Sequence, residues 1–258
     1  MRPLAELDAR GVRVVLLDID DTLTTDGKLT ALAYGALEHL QRAGLRVVPV
    51  TGRPAGWCDH IARMWPVDAV VGENGAFYFF HDGKRLHQRF VDDAEERARK
   101  RARLDALAAQ ILAAVPGCAL ASDQPYRETD LAIDYCEDVP PLSLEAARRI
   151  AELMRQSGLA AKVSSIHVNG WFGDYDKLAT TRRLLGERFG IEPGAANRAL
   201  VFAGDSPNDA PMFAFFENSV GVANVRRFAS LLADPPKYVT RAASGAGFAE
   251  LAEHLLSV

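Results

Sequence analysis

The chain has 258 residues, 48% of them hydrophobic and 25% charged, with 30 basic against 34 acidic residues for a net charge of −4. This is an ordinary globular composition, long enough for one large domain or for a core with a smaller inserted one. Its slightly acidic balance gives no reason to expect nucleic acid or an anionic membrane as partner. No run approaches the ~20 apolar residues needed to cross a bilayer, and Met1 to Gly11 contains acids and does not read as a signal peptide. Cys58, Cys118 and Cys136 have neither a disulfide pattern nor metal-ligand spacing, so a reducing cytoplasm is the expected compartment.

Val12 to Leu17 is a short apolar run that reads as a strand buried on both faces, as in a parallel sheet. Leu29, Leu32, Ala33, Ala36, Leu37 and Leu40 recur at helical spacing, and Gly44 closes that helix. Arg46 to Val50 reads as a strand, Pro54 to Met64 as a helix and Asp68 to Val71 as a third strand. This alternation predicts a doubly wound, Rossmann-like α/β sheet. Ala76 to Phe80 and Arg85 to Val91 flank Asp82-Gly83, a hairpin signal. A helix from Asp93 to Val115 follows, then strands near Cys118 to Ser122 and Thr129 to Tyr135. Next come a helix from Ser143 to Gln156, with Ser143 as N-cap, and strands at Ala160 to Ser164 and Ile166 to Gly170. Helix, two strands, helix, two strands predicts an inserted α+β cap (αββαββ) over residues 82–171. The first pattern then resumes: a helix from Asp176 to Phe189, a strand from Ala199 to Ala203, a helix from Pro207 to Phe215 and a strand from Asn218 to Val222. A helix from Val225 to Leu232, a strand from Lys237 to Thr240 and a final helix complete the chain. Residues 1–81 and 172–258 therefore form the expected core.

Four segments carry chemistry. In Leu17-Asp18-Ile19-Asp20-Asp21-Thr22, two carboxylates stand two apart just past a strand end, where open α/β sheets bind ligands. Taken alone, such a pair is as often a turn former. Thr51-Gly52 follows the second strand and offers a hydroxyl donor and a close backbone approach. Lys177 sits in the first turn of a helix, where a cation opposes the dipole and calls for a compensating anion. Gly204-Asp205-Ser206-Pro207-Asn208-Asp209 places Asp205, Asn208 and Asp209 at another strand end.

In this order the set Asp-x-Asp-x-Thr, Thr, Lys, Gly-Asp-x-x-Asn-Asp resembles the haloacid dehalogenase-like (HAD) phosphohydrolase superfamily. The resemblance covers the whole chain and is to subfamily IIB, whose cap lies between the second and third motifs. That branch contains sugar-phosphate phosphatases such as the sucrose-phosphate and mannosyl-phosphoglycerate enzymes. It implies a Mg²⁺-dependent phosphatase acting on a small phosphorylated metabolite. Asp18 attacks phosphorus, and Asp20 is the acid and then the base. Lys177 adds positive charge, while Thr51, Gly52 and Asn208 bind phosphate oxygens. Asp18 and Asp205 are the expected carboxylate ligands of the metal. The resemblance adds the backbone carbonyl of Asp20, and it makes Asp209 the residue that orients Lys177 or a metal-bound water. Asp21 departs from the family's frequent glycine. It is expected to turn outward or cap the next turn, and an inward position would add negative charge beside the phosphate.

The cap should shape the leaving-group pocket. Alternation puts Asp130, Ala132 and Asp134 on one strand face, and Ser165, His167 and Asn169 on the matching face of the last cap strand. Asp134, His167, Arg53 and Arg127 are the candidates for substrate selection. Rival readings are a phosphosugar mutase with the same aspartate, a phospho-receiver module and a catalytically silent phosphosugar-binding protein. No P-loop sequence occurs, and Gly245-Ala246-Gly247 is expected to be a loop.

Overall fold

A computed structural model describes residues 1–164, 166–230 and 232–257. The chain opens with β1 (Arg2–Pro3), β2 (Val14–Leu17), α1 (Ala31–Arg42), β3 (Arg46–Pro49), α2 (Ala55–Met64), β4 (Val70–Gly72), β5 (Phe77–His81) and β6 (Leu86–Phe90). It continues with α3 (Ala94–Ala114), β7 (Ala119–Leu120), β8 (Asp130–Asp134), α4 (Leu144–Gln156), β9 (Ala160–Val163) and β10 (His167–Trp171). It ends with α5 (Lys177–Phe189), β11 (Leu200–Gly204), α6 (Ala210–Phe215), β12 (Asn218–Gly221), β13 (Tyr238–Val239) and α7 (Ser244–Leu256).

The main sheet has the order β1-β13-β12-β11-β2-β3, with every pairing parallel. Its strands are apolar on both faces because both faces are covered. Val15, Leu17, Val47 and Val201 pack with α1 and α7, whereas Val14, Leu16, Val48 and Phe202 pack with α5 and α6. Each such side chain taken fully out of water contributes roughly 1.5–3 kcal/mol. The doubly wound expectation therefore holds. The N-terminal β1 has too little sequence pattern to be foreseen. It is held by its pairing with β13, the far end of the chain.

The antiparallel sheet β7-β8-β10-β9 is covered on one face by α3 and α4, through Leu104, Ile111, Ile150 and Met154 against Leu131, Ile133 and Val168. Asp93 and Ser143 cap the two helices through Glu96 N and Ala146 N. The third sheet has the order β4-β5-β6. Asp82 Oδ1 accepts from the amides of Lys84 and Arg85, both at 2.8 Å, and this tight turn sends β6 back along β5. Residues 82–90, read as the start of the cap, are thus hydrogen-bonded to the strand before them. This sheet extends the main one past β3, through a parallel bridge between Val50 and Val71.

Three smaller expectations change. Pro207–Asp209 is a 3₁₀ turn that leads into α6. Ala223–Phe228 is also 3₁₀, and Leu231, within the expected helix Val225 to Leu232, lies outside the described residues. Gly245-Ala246-Gly247 forms the first turn of α7, where a Cβ on Gly245 would lie 2.7 Å from the Leu23 carbonyl. No helix among the described residues is long and apolar enough to cross a membrane.

Candidate active site

Asp18 is the first residue past β2, and its amide continues the ladder by donating to the Ala203 carbonyl at 2.9 Å. The side chain therefore emerges at the carboxyl edge of the sheet, between the ends of β3 and β11. Thr51 follows β3 and Asp205 follows β11, so the sheet alone gathers three of the motif segments. Lys177 is the first residue of α5, whose N-cap Asp176 accepts from Ala179 N.

Lys177 Nζ donates to Asp18 Oδ1 at 2.7 Å and to Asp209 Oδ1 at 3.0 Å, with all three residues buried. Burial works against the ammonium, but Asp18 and Asp209 outweigh it and hold its pKa above the ordinary lysine value. Burial pushes the Asp18 carboxyl above the usual carboxylate range. Lys177 opposes this, and the charges of Asp209 and Asp20 add to it. Asp205 is likewise raised well above the usual carboxylate range, by burial and then by Asp18, Asp209 and Asp21. Asp18, Asp205 and Asp209 each bring an oxygen within 4.8 Å of the others. Three buried carboxylates facing a single lysine form a hard-oxygen site with excess negative charge, which fits a divalent cation such as Mg²⁺.

Asp209 also closes its own turn. Its Oδ2 accepts from Asp205 N at 3.1 Å, so one carboxylate joins Lys177 to the β11 loop. Gly204 is needed there, because a Cβ would fall 2.5 Å from Asp209 Oδ2. Asn208 lines the cleft, and its Oδ1 takes the Ser206 hydroxyl at 2.7 Å, which assigns the amide nitrogen as the remaining donor. Thr51 is buried, and its hydroxyl oxygen accepts from Arg53 N at 3.0 Å.

The Asp20 carboxylate does not join the acidic cluster. Arg53 holds it, with Nη2 at 2.8 Å and Nε at 3.0 Å. Asp21 adopts a left-handed backbone (φ 56°), the conformation that glycine takes without strain, and its carbonyl accepts from Asn224 Nδ2 at 2.9 Å. Asp21 is near enough for its charge to raise Asp205, so it does add to the negative field.

The surroundings of this geometry are matched elsewhere. Residues 15–100 fit the model of the haloacid dehalogenase-like hydrolases. A protein named phosphoglycolate phosphatase from Pyrobaculum neutrophilum is 30% identical over 96% of this chain and 97% of its own length. The chain belongs to the haloacid dehalogenase-like hydrolases. A phosphoglycolate phosphatase from Methanothrix thermoacetophila is 24% identical over 95% of this chain and 97% of its own. The fold is shared with the Thermoplasma acidophilum 0175 crystal structure, at TM-score 0.71 and 16% identity, covering 95% of this chain and 98% of that one. This hydrolase is accordingly a phosphatase, a phosphoric monoester hydrolase.

In this phosphatase the four-stranded sheet turns its polar face to the candidate cleft beside Asp18. Arg127, Ser164, His167 and Asn169 line it opposite Asp18, Asp20, Gly52 and Arg53. Arg127 is tied down by Asp123 and Asp130, and its Nη1 donates to the Gly52 carbonyl at 2.9 Å. His167 Nε2 lies 2.8 Å from Glu137, and Glu137 in turn meets Arg53 Nη2 at 3.3 Å. Asp134 has a different occupation. Its carboxylate accepts from the amides of Cys136, Glu137 and Asp138, which shapes the turn that presents Glu137. Asp134 is not among the residues that line the cleft, and its carboxylate holds that turn. Ser165 lies outside the described residues.

Sequence reading missed Glu73, Asn74, Asp123, Glu137 and Asn224. Glu73 is wholly buried and accepts from Ala55 N at 2.8 Å, Glu128 N at 2.9 Å and Thr129 N at 2.6 Å, joining the end of β4 to the segment before β8. Asn74-Gly75 after a strand was the available signal, but it reads equally as an ordinary turn.

Proposed function

We propose that this phosphatase hydrolyses a small phosphate monoester with a neutral, hydroxyl-rich leaving group, a sugar phosphate or related metabolite, through an aspartyl-phosphate on Asp18. The reading rests on one observation above all: Lys177 reaches Asp18 and Asp209 together beside the buried Asp205. Asp18 and Asp205 are the carboxylates proposed to hold Mg²⁺, with the Asp20 carbonyl. Asp209 orients Lys177. When bound, the cation offsets the charge of the phosphate and of the carboxylate that meets it.

A free oxygen of Asp18 forms the bond to phosphorus as the bond from phosphorus to the leaving oxygen breaks. Asp20, steadied by Arg53, gives its proton to the departing alkoxide. It then takes a proton from water, whose oxygen attacks phosphorus and releases phosphate and the Asp18 carboxylate. Thr51, Gly52 and Asn208 donate to the phosphate oxygens, and Lys177 stabilises the charge that develops on them.

The leaving-group class follows from charge. The cleft's two guanidiniums, Arg53 and Arg127, are already paired with Asp20, Asp123, Glu137 and Asp130. A carboxylate on the leaving group would face these acids, whereas hydroxyls can bond Ser164, His167 and Asn169. The cleft leaves only ≈ 30 Å³ free, room for a water or two. A phosphate ester thus enters only when the two sides part. We divide the chain accordingly into a core and a cap that begins near residue 91 and ends at Trp171.

The test is a Mg²⁺-dependent phosphate-release screen over sugar phosphates, phosphoglycolate, nucleotides and pyridoxal phosphate, with Asp18→Asn beside it. Turnover retained in Asp18→Asn, with deamidation excluded by mass spectrometry, would remove Asp18 from its role. Transfer of phosphate between sugars without release would make the protein a mutase, and preference for phosphoglycolate would overturn the leaving-group class.

A further inference from the structure

Asn74 belongs to none of the four motif segments, yet it is built into the site. Glu73 and Asn74 both hold left-handed backbones (φ 41° and 56°), which a non-glycine residue adopts only when its surroundings enforce it. The enforcement is visible. Glu73 N donates to the Arg53 carbonyl and Asn74 N to the Thr51 carbonyl, each at 3.1 Å, which zips the turn after β4 onto the loop after β3. Glu73 is itself fixed by the amides of Ala55, Glu128 and Thr129.

The result is an amide side chain laid against Gly52. A Cβ at Gly52 would meet Asn74 Oδ1 at 3.2 Å and Nδ2 at 3.3 Å. Asn74 is only 6% exposed, and its Nδ2 has no hydrogen-bond partner among the described residues. A buried amide donor without an acceptor is unfavourable and rare, and it calls for a missing partner. The wall it occupies fixes which kind. Asn74 lines the catalytic cleft with Asp18, Gly52 and Asn208, and lines an adjoining one with Lys177.

We infer that Asn74 is a further substrate-binding residue, donating from Nδ2 to an oxygen of the phosphoryl group beside Thr51, Gly52 and Asn208. The inference rests on the phosphoryl-transfer site proposed above. It explains why a strained turn is held so firmly against the Thr51–Arg53 loop: the strain positions a donor that only the ligand satisfies.

Two variants test it without losing the turn, because glycine and aspartate both accept a left-handed backbone. Inorganic phosphate binding is measured by calorimetry in the presence of Mg²⁺, beside steady-state hydrolysis of p-nitrophenyl phosphate. Asn74→Gly is expected to weaken phosphate binding and raise KM about 10-fold, with Tm near that of the wild type. Asn74→Asp, which sets a carboxylate against phosphate, is expected to weaken binding about 100-fold. Phosphate affinity and KM within twofold of wild type in both variants would overturn the inference and leave the phosphatase reading standing. A fall in kcat alone would also overturn it, since that marks disturbance of the loop rather than a lost ligand. Wild-type protein that neither binds phosphate nor hydrolyses the ester would sink both.

Discussion

Lys177 Nζ lies 2.7 Å from Asp18 Oδ1 across 159 residues of chain, and both residues are buried. The pair sits beside Asp209 and Asp205, so one ammonium answers for three carboxylates. That imbalance governs both the chemistry and the stability of the site.

Replacing Lys177 with Met keeps the volume of the side chain and removes its charge. Stripping one partner from a buried ion pair costs about 3–5 kcal/mol. Urea denaturation of EDTA-treated protein should therefore show a loss of that order, and turnover should fall at least ~100-fold. Stability within ~1 kcal/mol of wild type would mean that the carboxylates are not held charged around Lys177.

The like charges of Asp18, Asp205 and Asp209 predict the opposite outcome for Asp205→Asn. Without divalent cation this variant should be more stable than the wild type, because one member of the repelling set is gone. Mg²⁺ should raise the Tm of the wild type by mass action and leave the variant nearly unmoved. Equal Mg²⁺-induced shifts in both proteins would place the cation elsewhere.

Glu137 carries the clearest pH dependence. The His167 ring 2.8 Å away, reinforced by Arg53, holds its carboxyl down at about 2 against an ordinary 4.5. Between these values the unfolded chain binds a proton that the folded protein does not, so stability rises with pH. The contribution is fully present above about 4.5 and is lost as pH falls toward about 2. From pH 5.5 to 3, the Tm of Glu137→Gln should fall less steeply than that of wild type. Parallel curves would show that Glu137 does not tie the two sides of the cleft.

Gly75 has φ +107°, and a Cβ there would stand 2.1 Å from the Asp176 carbonyl, at the cap of the helix that begins with Lys177. Gly75→Ala must move the backbone or push α5 away. Destabilisation on the order of 3 kcal/mol is expected by thermal melting, with an accompanying loss of turnover. Wild-type Tm and kcat in this variant would be incompatible with so close an approach.

His167 and Asp134 should separate cleanly. His167→Ala is expected to change selectivity across a sugar-phosphate panel. Asp134→Ala, which strips the acceptor from three backbone amides, should lower Tm by several degrees, and its effect on selectivity should come only through Glu137. Unchanged selectivity in His167→Ala would remove the four-stranded sheet from substrate choice.

Sequence by itself determined the alternation of strands and helices, the doubly wound sheet and the motif segments that carry the family resemblance. Those properties are local. Apolar period, N-caps such as Ser143, and residue types just past a strand end are all carried by neighbours in the chain. Tertiary structure alone decided where the hairpin Phe77–Phe90 belongs, because strand pairing is set by partners distant in sequence. It decided that Asp20 faces Arg53 rather than the acidic cluster, and that Asp134 bonds the amides of the turn before Glu137. It also exposed Glu73 and Asn74. An Asn-Gly after a strand has the same sequence whether it merely turns the chain or, as here, is zipped to the Thr51–Arg53 loop with a buried amide left unpaired. Burial and the identity of a partner are sums over the whole fold, and no window of sequence contains them.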